Sequence, residues 1–331
     1  SSLTLTATLS VATTADVTVA LSTSGTATEG TDYTDGSGVV NDITISAGST
    51  TGTVNFTPTD DSVYEGDETA TIAVSGVSGG SATESGTQSV TITISENESA
   101  PTVTLTTSAT SIAENAGSSL TITATLSTAT TADVTVTIGT AGTATEGTDY
   151  SDGSGNLDDI TISAGSTTGT VSFTPTDDAS DPVYEENETA VISVDGVSGG
   201  SASESGSQSV TITITENESA PTVTLTRSAA SIAENSGSTV TITATLSIKV
   251  DEAVTVALST SGAATEGTDY GTISDITVSA GATTGTATFD PTDDSVYEDD
   301  EAATIAIDSV SGGGASESGS QSVAVTITEN E

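Results

Sequence analysis

Residues 121–126 read Thr-Ile-Thr-Ala-Thr-Leu, residues 134–138 Val-Thr-Val-Thr-Ile, and residues 210–214 Val-Thr-Ile-Thr-Ile. Apolar side chains alternate with Thr in all three. A period of two turns one face of an extended chain to a core and the other to water. Thr is β-branched and suits the wet face of a pleated surface. Further runs of this kind begin at Val103, Ile160, Val171 and Val191, and Gly, Asp and Ser clusters separate them. No helical period emerges. About seven short strands in a unit of this size predict a two-sheet sandwich.

The unit recurs. Thr-Glu-Gly-Thr-Asp-Tyr occupies 28–33, 145–150 and 265–270, and Ser/Thr-Glu-Asn-Glu occupies 95–98, 215–218 and 328–331. The second copy carries three extra residues in DDASDPVYE, and the third is four residues shorter after TDY. A unit of this length is domain-sized and too long for one solenoid rung or propeller blade. We therefore expect three all-β domains, 1–98, 99–218 and 219–331, joined without long linkers. Ser1-Ser-Leu-Thr-Leu-Thr aligns with the copy starting at Ser118, so repeat 1 is expected to lack its first strand. The chain reads as a window on a longer array.

Composition alone argues against folding. The chain holds 47 Asp and Glu against 2 Lys and Arg, a formal net charge of −45. Val, Ile, Leu and Phe supply only 64 of 331 residues, which borders on the disordered class. Against that, a disordered or mucin-like stalk has no reason to keep Ile and Thr in register across three copies. The absence of Cys and His excludes the usual nucleophile–histidine dyads and zinc, haem or iron–sulfur ligation. One Arg and one Lys cannot make a nucleic-acid face, and the charge opposes anionic lipid. No apolar run is long enough to span a bilayer as a helix.

The acids gather. In repeat 2 they concentrate at Glu114, Asp149, Asp177, Asp178, Glu185, Glu188, Glu216 and Glu218. Repeat 3 has Glu234, Asp269, Asp293, Asp294, Glu298, Glu301, Glu329 and Glu331; repeat 1 has Asp32, Asp60, Asp61, Glu65, Glu68, Glu96 and Glu98. All fall at strand ends or in connections, so one pole of each sandwich can collect them. Clustered carboxylates repel one another and raise their own pKa values. An oxygen-only ligand set on flexible loops is what Ca²⁺ selects. A two-carboxylate glycosidase would need a stacking cleft, which a chain with no Trp and 3% aromatics does not offer; no enzyme is expected. The remaining acids read as solvated surface. The six Tyr all lie beside the acids, as core anchors at a sandwich corner or as lids over ions.

GTATEGTDY, then ITISAGSTTGTVNFTPTDDSVYEGDE, then SVTITISENE together resemble the Calx-beta domain, a Ca²⁺-binding immunoglobulin-like sandwich of exchangers and large bacterial surface proteins. The resemblance spans repeats 2 and 3 and all of repeat 1 except its first strand. It implies that Glu114 and Glu234, with Asp32, Asp149 and Asp269, are ligands. It implies the same for the loop sets Asp60, Asp61, Val63 (by its carbonyl), Glu65, Glu68 and Asp293, Asp294, Val296, Glu298, Glu301. In repeat 2 the insertion parts Asp177 and Asp178 from Glu185 and Glu188, and Asp181 stands as a substitute. The family's terminal acid run is here Glu-Asn-Glu. The function implied is an extracellular, Ca²⁺-stiffened structural or adhesive rod, with ions at the joints between domains. Its partners would be neighbouring repeats of the same or identical chains. The alternative is a Ca²⁺-sensing module of a membrane exchanger or signalling protein.

Overall fold

The structure, a computed structural model, describes residues 1–178 and 180–329. The second repeat shows the full plan. Its principal strands are β1 (Thr102–Thr107), β2 (Ser111–Ala113), β3 (Leu120–Leu126), β4 (Val134–Gly142), β5 (Ile160–Ile162), β6 (Thr168–Pro175), β7 (Glu188–Ser198) and β8 (Ser209–Thr215). One sheet runs β2-β8-β7-β4-β5; the other runs β6-β3-β1, with two-residue pieces 150–151 and 203–204 at its edges. The fold is all-β, a pair of immunoglobulin-like sheets packed face to face.

The alternation sets the register. Ile122 stands opposite Val171, and Ala124 opposite both Gly169 and Leu105. Ile122, Ala124, Val134, Val136, Ile160, Ile162, Ile192 and Ile212 are fully buried, and the intervening Thr side chains lie outside the core. At the corner, Tyr150 and Phe173 stack with ring centroids 4.6 Å apart; Tyr33–Phe56 and Tyr270–Phe289 repeat the pair. Three of the six Tyr are therefore core anchors.

One strand exceeds the expected seven. The first strand does not run through: β1 pairs antiparallel with β3, and after Ser108 the chain crosses to the other sheet, where β2 pairs parallel with β8. Thr213 N–H donates to Thr110 C=O at the crossing. The crossing carries Glu114 to the end of β8. Gly142 closes β4 with φ +121°, where a Cβ would lie 2.0 Å from Thr189 O. Only Gly tolerates that approach.

The third repeat follows the same plan, with a 3₁₀ turn at Glu234–Ser236. In the first, Leu3–Thr8 occupies the place of β3 and pairs with Thr51–Pro58. Consecutive domains touch through short parallel ladders. Val63–Tyr64 pairs with Ala129–Thr130, and Val183–Tyr184 with Lys249–Val250.

Candidate metal centre

The plan above brings four connections to one pole of each sandwich. In the second domain Glu114 follows β2, Asp149 ends the turn before Tyr150, Asp177 and Asp178 follow β6, Glu185 precedes β7 and Glu188 opens it, and Glu216 and Glu218 follow β8. Three groups result in which carboxylate oxygens lie within 4.8 Å of one another: Glu114–Asp177–Asp178, Glu114–Glu216–Glu218 and Asp149–Glu185–Glu188. Glu114 belongs to two of them. The first and third domains show Asp32–Glu65–Glu68 and Asp269–Glu298–Glu301 in the place of the last group.

Glu114 is the most enclosed acid, 6% exposed. Burial, then the charges of Glu216, Asp178, Glu218 and Glu185, push its carboxyl up to about 8. Glu185 and Glu188 rise to about 7, by burial first and then by Asp149. Asp251 of the third domain adds to both, so this group feels its neighbour across the joint. Glu68 in the first domain rises to about 7 by burial and then by Asp32.

The terminal Glu-Asn-Glu plays two parts. Glu216 accepts the backbone N–H groups of Glu185, Asn217 and Glu218 at 2.6, 2.7 and 2.8 Å. Glu96 likewise takes Glu65, Gly66, Asn97 and Glu98. Burial opposes ionisation of Glu96, but its backbone donors together outweigh it and hold the carboxyl at about 2. Glu218, facing Glu216, keeps the proton the pair shares, and its carboxyl rises to about 7. Both acids reach the Glu114 group; the first also ties the loop through its backbone donors, and the second is the one that holds a proton.

Several expected ligands stand at the poles outside the tight groups: Asp61, Val63, Glu96 and Glu98 line one cavity with Asp32, Glu65 and Glu68, and Glu234 and Glu329 line another with Asp269, Glu298 and Glu301. Asp61 and Asp294 accept from Val63 and Val296 N–H within their own turns. Asp60 accepts from the Asn97 amide. Glu98, beside that amide, is pushed up first by its hydrogen bond with Glu96. Glu234 accepts from Asp294 N–H, and Glu329 from Glu298 N–H. Asp293 is exposed. Val63 lies in the interdomain ladder, while Val296 is 57% exposed. Asp181 does not stand in for a cluster acid: its carboxylate meets the Lys249 ammonium at 2.5 Å. Glu331 lies outside the described residues.

The sequence reading missed two sets. Asp67, Asn187 and Asp300 each cap the backbone N–H of the terminal acid, Glu96, Glu216 and Glu329. Their shared position one residue before a Glu at a strand start was a usable signal. Glu29, Glu146 and Glu266, the acids inside TEGTDY, bind backbone N–H of Val40, Leu157 and Ile273 and are structural. They had been read as solvated surface.

Three oxygens out of reach of solvent have no hydrogen-bond donor among the described residues: Asp178 Oδ1, Asn217 Oδ1 and Glu218 Oε2. All lie at this pole. Buried oxygens without donors, beside a buried carboxylate surrounded by other acids, are an arrangement that a hard cation would complete. The donor set is all oxygen and fits Ca²⁺.

The titration has a definite sign. Carboxyls raised in the folded state bind protons more tightly folded than unfolded, so without cation the stability these raised groups contribute is full below the ordinary carboxyl range. It falls as pH rises from the ordinary carboxyl range through about 8, the value at Glu114. Melting in EGTA at pH 5 and pH 8.5 is expected to show the higher temperature at pH 5. With excess Ca²⁺ the difference shrinks or reverses.

Fold and pole define a class: tandem immunoglobulin-like sandwiches with an acidic end. The model of the Calx-beta domain, a calcium-binding family, matches residues 4–98 and 96–218, and the chain belongs to that family. Residues 219–330 match the model of the LapA domain. No curated protein matches the chain. Among solved structures, the chain is similar to the crystal structure of CBD12 from CALX1.2, at 17% identity and TM-score 0.30, covering 68% of this chain and 99% of that one. Invasin, a bacterial integrin-binding protein, aligns at 16% identity and TM-score 0.32, over 98% of this chain and 56% of that one. The Yersinia pseudotuberculosis adhesin InvE aligns at 14% and TM-score 0.31, over 68% and 58%. No helix among the described residues is long and apolar enough to cross a membrane.

Proposed function

We propose that this chain is part of an extracellular structural or adhesive repeat protein whose domains, 1–98, 99–218 and 219–331, are fixed end to end by Ca²⁺ at their acidic poles. Glu114 carries this reading: a buried carboxylate shared by two acid groups and surrounded by like charge. In the second domain the ligands would come from Glu114, Asp149, Asp177, Asp178, Glu185, Glu188 and Glu218. Asp32, Glu65 and Glu68 would serve the first domain, and Asp269, Glu298 and Glu301 the third. Bound Ca²⁺ supplies the positive charge these groups lack.

The chain itself connects pole to joint. Glu185 directly follows Tyr184, whose backbone pairs with Val250 of the next domain. Glu65 directly follows Tyr64, which pairs with Thr130. Holding the acid therefore holds the residue that docks the neighbour. Near-identical tandem copies fit a spacer better than a sensor, which needs an effector.

Binding to the folded state alone stabilises by mass action, about 2.7 kcal/mol per site at a hundred times Kd. For a domain of about a hundred residues that amounts to roughly 10–20 °C in Tm. Calorimetry with Ca²⁺ and with EGTA, paired with small-angle scattering, is expected to show a rise of this order and a larger maximum dimension. An unchanged Tm and an unchanged dimension would sink both the ligand assignment and the stiffening.

A further inference from the structure

The two joints are not equivalent. They share the parallel ladder, and in both the accepting segment is buried, Thr130 at 1% and Val250 at 0%. Two departures from the repeat fall at the second joint, while the first joint has a Thr128 hydroxyl donating to Ser62 C=O where repeat 3 carries Ile248. Repeat 2 alone has the longer DDASDPVYE loop, and repeat 3 alone has Lys249, the only Lys of the chain, where repeat 2 has Ala129. The longer loop presents Asp181 to Lys249, whose Nζ lies 2.5 and 2.7 Å from the two carboxylate oxygens.

A second contact is specific to this joint. Tyr184 packs against the core of the third domain. Its ring lies over Gly314, where a Cβ would come 2.7 Å from Tyr184 Cε1 and 3.1 Å from its hydroxyl oxygen. The equivalent positions in the other repeats are Ser81 and Ser201, which hold the same left-handed φ of 57° and 53° despite their side chains. Glycine at 314 is thus tied to the seated ring and not only to the turn. Among the described residues no such packing joins Tyr64 to the second core.

From these contacts we infer that the joint between the second and third domains is a built-in lock, closed by Tyr184 on Gly314 and by Lys249 acting as a tethered cation. The joint between the first and second domains is left as a cation-dependent hinge. An exposed Lys–Asp pair contributes little alone. The seated ring therefore supplies most of the closure, and the ion pair supplies charge compensation in an acidic loop. These contacts close the second joint even without the Ca²⁺ proposed to stiffen it, against the charge of Asp251 on Glu185 and Glu188; the contrast with the first joint draws on the calcium reading above.

Asn55, Ser172 and Thr288 are exposed, equivalent strand positions in the three domains. The chain has no Cys, so cysteines placed there label cleanly. Spin-label distances for the pair Asn55→Cys/Ser172→Cys report the first joint, and Ser172→Cys/Thr288→Cys the second. In EGTA the first distribution is expected to widen about twofold or more while the second keeps its Ca²⁺-loaded width, since released segments sample broader states. Gly314→Ser, which installs the residue of the other two repeats, should widen the second distribution in EGTA. The double change Tyr184→Ser with Lys249→Ala should widen it to match the first. Equal widening of both joints in the parent chain would overturn the lock. So would an unmoved second joint in both Gly314→Ser and the double variant. A first joint that ignores EGTA would instead overturn the calcium reading, with the second-joint variants still deciding the lock.

Discussion

Glu114→Gln is expected to raise the melting temperature of the second domain in EGTA and to weaken its calcium affinity about tenfold or more, a loss of about 1.4 kcal/mol. The two effects have opposite signs for one reason. The carboxylate is buried among Glu216, Asp178, Glu218 and Glu185, so without a cation its charge is desolvated and repelled. The amide keeps the shape and removes the charge. With Ca²⁺ the same charge becomes the attraction that is lost. The gain in EGTA should grow with pH, because the wild-type carboxyl, at about 8, carries more charge there. Calorimetry with and without EGTA, with titration calorimetry for affinity, separates the effects. A lower melting temperature in EGTA with calcium affinity intact would show that Glu114 serves packing alone.

Phe173→Ala should be the most damaging single change in the second domain. Phe173 and Tyr150 are both fully buried and stack at 4.6 Å. Truncating a buried Phe costs about 3–5 kcal/mol, and the aromatic pair adds roughly 0.5–1.5 kcal/mol. The loss reaches the site as well, because Asp149 precedes Tyr150 and its C=O accepts the N–H of Thr176. Calcium affinity of the Asp149–Glu185–Glu188 group is therefore expected to fall with stability. Tyr297→Ala is the control: that ring is 68% exposed, and its loss should leave urea unfolding of this chain within about 0.5 kcal/mol. Similar unfolding midpoints for the two variants would mean that the stack does not anchor the corner.

Much of the site was legible before the fold was known. Asp149, Glu185 and Glu188 were expected together and stand together, as do Glu114, Asp177 and Asp178. What could not be read was which oxygen of an acidic string points where. Glu216 and Glu218 are two residues apart in one motif and both reach the Glu114 group, yet Glu216 gathers backbone N–H groups while Glu218 takes the Asn217 amide. That division depends on the turn after β8, which local sequence does not specify. Asp181 reads as a substitute ligand because the insertion parts Asp177 and Asp178 from Glu185 and Glu188; its partner, Lys249, lies 68 residues away.

The sequence by itself determined the sandwich. Strict alternation leaves one way to bury Ile122, Val134 and Ile212 while wetting the Thr between them, and three copies in register confirm the period. It also determined that the acids fall at strand ends. Only the tertiary structure decided that the first strand crosses between sheets and carries Glu114 into the pole. Only it showed that the Val-Tyr pairs in the acidic loops of the first two domains dock on the domain that follows, and that the second joint is built unlike the first. These are contacts between residues tens of positions apart, set by how two sheets and two domains meet. Burial of a charge is a property of that meeting and has no signature in the period of the chain.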